Sequence, residues 1–184
     1  MRRSAFLLFA ALMAFPAAAQ QEVTSAFKGF SGRGDEPVNI EAQRLDVHED
    51  KQTATFSGDV VVVQGASTLR TNKLTIFYEK RAGEAGQPAE DDVVTGRDIR
   101  RLEADGNVIV TSGDQKATGN HGVFDMPSNT VVLIGNVVVT QGVNILKGDR
   151  LVVDLTTQKS RVESNEAGGR VQGVFGSQKK KSEP

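Results

Sequence analysis

The chain has 184 residues, no cysteine and 22 Lys and Arg against 23 Asp and Glu. Without a basic excess, the composition argues against a nucleic-acid partner. Without disulfides, stability must come from burial and strand pairing, and the length suits one domain with a sizeable core.

The first 19 residues have the three-part layout of a secretory signal. Two arginines precede an apolar run over 5–15, and three alanines then form an A-x-A cleavage site before Gln20. The alternative is a retained membrane anchor, but the run is shorter than the about 20 apolar residues that a spanning helix needs. We expect residues 1–19 to be removed, which leaves 20 Lys and Arg against 23 Asp and Glu, a net charge of about −3.

Three further stretches are predicted to lie outside the packed sheet. An N-terminal arm over 20–36 and a C-terminal tail over 166–184 are polar or rich in glycine, and we expect both to be flexible. Residues 80–98 include Gly83, Gly86 and Pro88, which favour irregular structure. We interpret this stretch as a loop inserted into one domain that extends over 37–165.

A repeat with a spacing of 29 residues runs through this domain. Its first feature is a short polar segment that contains a basic residue: Ala42-Gln43-Arg44-Leu45, Thr71-Asn72-Lys73-Leu74, Gly119-Asn120-His121-Gly122 and Gly148-Asp149-Arg150-Leu151. Its second feature is Gly, then Asp or Asn, then three β-branched residues, at 58–62, 106–110 and 135–139. Removal of the inserted stretch restores the same spacing throughout.

Each repeat unit is predicted to form two strands. The β-branched runs disfavour helix because their χ1 angles are restricted there. In the second strand, Leu74 and Ile76 alternate with Thr75, which places the two apolar residues on one face. No segment after the arm combines a 3.6-residue period with helix caps. The sequence therefore predicts an all-β fold of repeated antiparallel strand pairs.

The alternation also assigns the two faces of the predicted sheet. Asp59, Asn107 and Asn136 are expected to face water. The apolar residues that alternate with polar ones are predicted to line the interior: Leu45, Val47, Phe56, Val60, Val62, Ile76, Leu102, Val108, Val110, Phe124, Leu133, Val137, Val139 and Val153.

The chain carries no recognisable catalytic, cofactor or metal-binding motif of the H-E-x-x-H, G-x-S-x-G or P-loop type. His121 stands in a repeated slot that Arg44, Lys73 and Arg150 occupy in the other units. A row of such residues is a candidate contact for the phosphates of a lipid headgroup, but the repeat favours the simpler role of keeping outer strand positions soluble. Acidic residues also recur with the repeat, which argues against a paired-carboxylate glycosidase site. We expect no enzymatic activity.

The repeated segments resemble those of the OstA-like family over 37–162. The segments that carry the resemblance are Ile40-Glu41-Ala42-Gln43-Arg44-Leu45, Ala54-Thr55-Phe56-Ser57-Gly58-Asp59-Val60 and Ala104-Asp105-Gly106-Asn107-Val108. The resemblance implies a single open, twisted β-jellyroll in the periplasm, whose apolar interior shields the acyl chains of lipopolysaccharide. It also implies a bridge between membranes, with an inner-membrane jellyroll protein of an extraction complex and an outer-membrane insertion complex as partners.

Two functional hypotheses follow. The first is a lipopolysaccharide carrier without a cofactor, whose unpaired edge strands would allow head-to-tail association into a homo-oligomer. The alternative is a β-solenoid enzyme or adhesin that acts on extracellular polysaccharide, which would also show short repeating strands. Four repeat units are few for a solenoid, and an enzyme would need acidic residues clustered away from the repeat, so the carrier is the favoured hypothesis.

Overall fold

The computed structural model describes residues 27, 37–79, 98–164 and 169–176, and its strands form one antiparallel sheet. The strands are β1 (Asn39–Glu41), β2 (Arg44–His48), β3 (Thr53–Gln64), β4 (Ser67–Glu79), β5 (Asp98–Ser112), β6 (Gln115–Asp125), β7 (Thr130–Gln141), β8 (Asn144–Asp154), β9 (Lys159–Glu163) and β10 (Gln172–Val174). Strands β3 to β8 pair in sequence order. The all-β prediction is confirmed. Among the described residues, no helix is long and apolar enough to cross a membrane.

Tight hairpin turns line one margin of the sheet. The two-residue turns Gly65-Ala66, Gly113-Asp114 and Gly142-Val143 each begin with a glycine at positive φ, which suits a two-residue hairpin. At the opposite margin, four-residue turns over 49–52, 126–129 and 155–158 connect the strands. Short connections of this kind set the register of each hairpin.

Three of the six long strands, β3, β5 and β7, carry a β-bulge near the middle that coincides with the sequence repeat. The pairs Gly58-Asp59, Gly106-Asn107 and Gly135-Asn136 each oppose a single residue on the following strand. All six of these residues have positive φ. A bulge bends its strand and increases the local twist. The 29-residue repeat is therefore a repeat of the bend, aligned across the sheet.

The two repeated sequence features meet at these bends. Asn107 Nδ2 donates to Asn72 Oδ1 at 3.4 Å, and Gln43 Nε2 donates to Asp59 Oδ2 at 2.9 Å. The backbone also comes close to the side chain of Asn72, because a Cβ on Gly106 would lie 2.6 Å from Asn72 Nδ2. Glycine is therefore required at this bulge both for its φ of 80° and for the lack of a side chain.

The bends fold the sheet so that the two halves of each strand face one another. Val62 and Val110 lie on one side of the bend, Leu74 and Leu133 lie on the other, and all four belong to one hydrophobic core cluster. The resulting architecture is an open jellyroll whose core lies between two halves of a single sheet.

Both edges of the sheet are made of two short strands. β1 and β2 cover the two halves of β3, and β10 and β9 cover the two halves of β8 in the same way. β10 falls within the segment 166–184 that we expected to be a flexible tail. It is ordered because its residues pair with 145–147 of β8, which β9 leaves uncovered.

The other segments predicted to lie outside the sheet are only partly described. Residues 1–19 and 80–97 lie outside the described residues, and Asp98, assigned to the insert, is instead the first residue of β5, paired with Glu79. Within the arm 20–36, Phe27 is described and is only 2% exposed. The prediction of a flexible arm is therefore wrong at Phe27, because its side chain belongs to the core cluster.

We expect the substitution Gly106→Ala to lower the free energy of unfolding by about 3 kcal/mol. A left-handed alanine costs about 1–2 kcal/mol, and the added methyl group also meets the Asn72 side chain. Gly113→Ala is the matched control, because Gly113 also has positive φ but its Cβ would have no atom within 4 Å. Urea unfolding should show a loss of only about 1–2 kcal/mol for the control, which is the cost of the left-handed conformation alone. Equal losses for the two variants would contradict the close approach at the bend.

Candidate functional site

An apolar cavity of about 450 Å³ lies between the two halves of the sheet. Val62, Leu69 and Val110 contribute to its wall from one side of the bends, and Leu74 and Leu133 contribute from the other. Among the described residues that line it, Gln64 is the only one with a polar side chain. The volume falls within the range of about 300–1,000 Å³ that is usual for ligand pockets.

The predicted interior residues fall into three groups. Seven line the cavity: Val62, Ile76, Leu102, Val108, Val110, Phe124 and Leu133. Five are buried in the core beyond its wall: Phe56, Val60, Val137, Val139 and Val153. The remaining two, Leu45 and Val47, are 43% and 39% exposed.

Leu45 and Val47 point to the inner face but are not covered. They pair directly with Phe56 and Ala54, which are buried, and directly opposite residues share a face. They are exposed because β2 is an edge strand. The alternation pattern correctly assigned their direction, but the burial that it implied is absent.

Sequence reasoning missed several residues of the cavity wall. Two obey the same alternation and could have been found by extending it: Leu69 and Val131. Others lie in β1 or just before it, beside the inserted stretch or in a turn, where the repeat is weak: Val38, Ile40, Ile99 and Met126. No periodic signal points to Phe27, which precedes β1.

Phe27 occupies part of the space between the two halves of the sheet. Its side chain is 2% exposed and lines the cavity together with Val38 and Ile40. Burial of such a side chain contributes about 1.5–3 kcal/mol. The chain therefore fills part of its own apolar cavity with a side chain from outside the sheet.

The four predicted headgroup residues lie on the outer face of the sheet, next to the bends. Strand pairing places Arg44, Lys73, His121 and Arg150 in one row across alternate strands. Each immediately precedes an inner-face position, so each side chain points away from the cavity. The cavity and this basic row are therefore on opposite faces of the sheet.

Asp105 lies between two members of the basic row. Its carboxylate lies 2.6 Å from His121 Nδ1 and 3.3 Å from Lys73 Nζ. Burial opposes the ionisation of Asp105, but the hydrogen bonds and charges of His121 and Lys73 outweigh it and lower the pKa of the carboxyl group. Two of the four basic residues are thus engaged in contacts within the sheet. Within the described ranges, no three His, Asp or Glu side chains are placed to hold a metal ion.

Comparison with known sequences identifies the family of this chain. Residues 39–159 match the family model described as LptA/(LptD N-terminal domain) LPS transport protein. An uncharacterized protein of Rhizobium meliloti (strain 1021) is 35% identical over 158 residues, which make up 85% of this chain and 80% of that protein. The lipopolysaccharide export system protein LptA of Escherichia coli (strain K12) is 26% identical over 145 residues, or 79% of this chain and 74% of LptA.

A solved structure has the same architecture. The crystal structure of LptH from Pseudomonas aeruginosa, described as the LptA homologous periplasmic component of the lipopolysaccharide transport device, matches with a TM-score of 0.60 at 21% sequence identity. The match covers 77% of this chain and 96% of the LptH chain. The resemblance to the OstA-like family is confirmed, and the chain belongs to the LptA/LptD N-terminal domain family of lipopolysaccharide transport proteins.

Proposed function

We propose that this protein carries lipopolysaccharide across the periplasm, with the acyl chains held between the two halves of the folded sheet. The observation that carries the proposal is the cavity of about 450 Å³, whose described walls are apolar except at Gln64. A carrier of this kind makes and breaks no bond. Its work is to keep hydrocarbon out of water.

The free energy at stake is comparable with the stability of a whole folded domain. Exposure of one methylene group to water costs about 0.8 kcal/mol, so an uncovered chain of a dozen carbons costs roughly 10 kcal/mol. Aliphatic walls remove most of this cost without a directional contact, because the hydrophobic effect depends on buried area rather than on geometry. Such walls hold a chain and still allow it to slide.

The relatives support transport rather than catalysis. LptA of Escherichia coli is named a lipopolysaccharide export system protein, as is LptH of Pseudomonas aeruginosa, which is 27% identical over 142 residues. The alternative of a β-solenoid enzyme or adhesin acting on polysaccharide receives no support from these relatives. The location implied by the family and by the LptH structure is the periplasm.

The exposed inner residues of β2 support assembly with another jellyroll. Leu45 and Val47 lie on the inner face of an edge strand, and no strand in the described part of the chain covers them. An added strand from a second jellyroll would pair with this edge and bury both residues. The opposite edge, β9 and β10, differs in sequence, so the contact would be head to tail and open-ended. Suitable partners are further copies of this chain and the jellyroll proteins at the two membranes.

Photo-crosslinking tests the location of the acyl chains. A small diazirine amino acid at Val110 or Leu74, which line the cavity, should capture lipopolysaccharide. The same group at Ile109 or Thr75, the adjacent outer-face positions, should capture little, because successive strand residues point to opposite faces. Comparable labelling of the inner and outer positions would exclude the cavity as the binding site.

Removal of the Phe27 ring tests whether it competes with lipid. Phe27→Ala should unfold at a lower temperature than the wild type, yet bind detergent-solubilised lipopolysaccharide about tenfold more tightly, because no buried ring has to be displaced. Phe124→Ala is the control, since it removes a ring that belongs to a strand of the cavity wall. It should lower both stability and affinity. If Phe27→Ala weakens binding as Phe124→Ala does, the Phe27 ring forms part of the lipid site.

A charge on the inner face of β2 should prevent self-association. Leu45→Lys would place an ammonium group where a second jellyroll must cover the surface, an arrangement that keeps edge strands apart. Asp46→Lys changes the next residue on the outer face and serves as the control. In analytical ultracentrifugation, the mass of the wild type and of the control should rise with concentration, whereas Leu45→Lys should remain monomeric. Association of all three proteins to the same extent would rule out this edge.

A further inference from the structure

A row of polar residues crosses the inner face of the sheet at its tight-turn margin. Its members pair with one another in unbroken succession from β3 to β8, and we call them the polar row: Gln64, Ser67, Ser112, Gln115, Gln141 and Asn144. Directly opposite residues share a face of the sheet. Because Gln64 lines the cavity, the polar row continues the inner surface from the cavity wall to the margin.

The polar row stands out against an otherwise apolar interior. Gln64, Ser67 and Gln115 are only 6%, 1% and 5% exposed. At the opposite margin, the inner surface carries hydrophobic side chains that belong to the core or pack against it: Tyr78, Ile99, Met126 and Leu155. The two margins therefore differ in chemistry, and one of them offers hydrogen-bonding groups along its length.

Two acceptors of the polar row have no hydrogen-bond partner among the residues that the structure describes. Gln115 Oε1 and Gln141 Oε1 are both buried and unpaired, although the two residues lie directly opposite each other. A self-contained amide ladder would join the oxygen of one side chain to the nitrogen of the other, and here neither oxygen is used. Buried polar groups in folded proteins are almost always paired. The missing partner must donate hydrogen, because both free atoms are carbonyl oxygens.

We propose that the polar row binds the linkage region of an N-acylated amino-sugar lipid of the lipid A type. In such a lipid, amide N–H groups and 3-hydroxyl groups stand where the acyl chains join the sugar, and they would donate to Gln115 Oε1 and Gln141 Oε1. This assignment rests on the proposed function, which places the chains between the sheet halves and the sugar outside. The linkage region of such a lipid must then cross a margin of the sheet.

The polar row also selects against a more common class of lipid. The chains of a glycerophospholipid are joined through esters, which bring only acceptors to the same depth. Two buried carbonyl oxygens cannot pair with them, so these lipids would leave the acceptors of the polar row unsatisfied. A site built to receive a donor discriminates against ligands that lack one more strongly than an apolar pocket can discriminate by shape.

The test replaces the two carboxamides by apolar groups of similar size. Wild type, Gln115→Met, the double variant Gln115→Met/Gln141→Met and the control Gln172→Met, which alters an exposed glutamine of β10, are titrated in one detergent with monophosphoryl lipid A and with dimyristoyl phosphatidate. Each lost hydrogen bond should weaken lipid A binding about three- to tenfold. The double variant should bind phosphatidate as well as the wild type or better, and the control should match the wild type with both lipids.

Thermal unfolding without lipid separates recognition from a structural role. Replacement of unpaired acceptors by methionine removes a desolvation cost, so the single and double variants should unfold at the same temperature as the wild type or higher. Lower stability together with an equal loss of both lipids would show a structural role and overturn the assignment. Unchanged lipid A binding by the double variant would overturn it and leave the proposed function intact. A wild type that binds neither lipid would overturn the proposed function and this assignment together.

Discussion

The aligned β-bulges are the constraint on which the rest of this structure depends. At Gly106-Asn107 and its counterparts, two residues in left-handed conformations oppose one residue of the next strand. An alternating sequence alone would build a twisted sheet without a sharp bend, with one apolar face exposed. Because the bulges of the alternate strands β3, β5 and β7 lie at the same level, the sheet bends along one line, and its apolar face folds over on itself.

The bend also determines which side chains face the solvent and which face the cavity. The outer corner carries the basic row, in which Asp105 engages Lys73 and His121, and this row has no access to the cavity. Inside, apolar side chains from both halves leave a cavity that hydrocarbon can share. The polar row lies at the margin, between the hydrocarbon interior and water. An amphiphile placed across that margin would meet apolar groups, hydrogen-bond acceptors and solvent in the order of its own structure.

The same geometry leaves the sheet open at both ends. Among the described residues, β1 with β2 and β9 with β10 are the outermost strands, so no described strand covers either edge. The inner-face residues Leu45 and Val47 of β2 are therefore exposed. The openness that would allow a chain to slide from one jellyroll into the next is also what makes association through strand edges favourable. The proposed transport and the proposed assembly thus share one physical origin.

Local patterns in the sequence were sufficient for the all-β class, the repeat and the facing of residues such as Val110 and Leu133, because alternation along a strand is a local property. They also marked each bend, through a glycine followed by Asp or Asn. Only the tertiary structure decided which inward residues are covered, since burial depends on the neighbour across the fold: Leu45 lacks one and Phe27 has one. The unpaired oxygen of Gln115 was likewise visible only in the tertiary structure, because a carbonyl oxygen lacks a hydrogen-bond partner only when folding has shielded it from water.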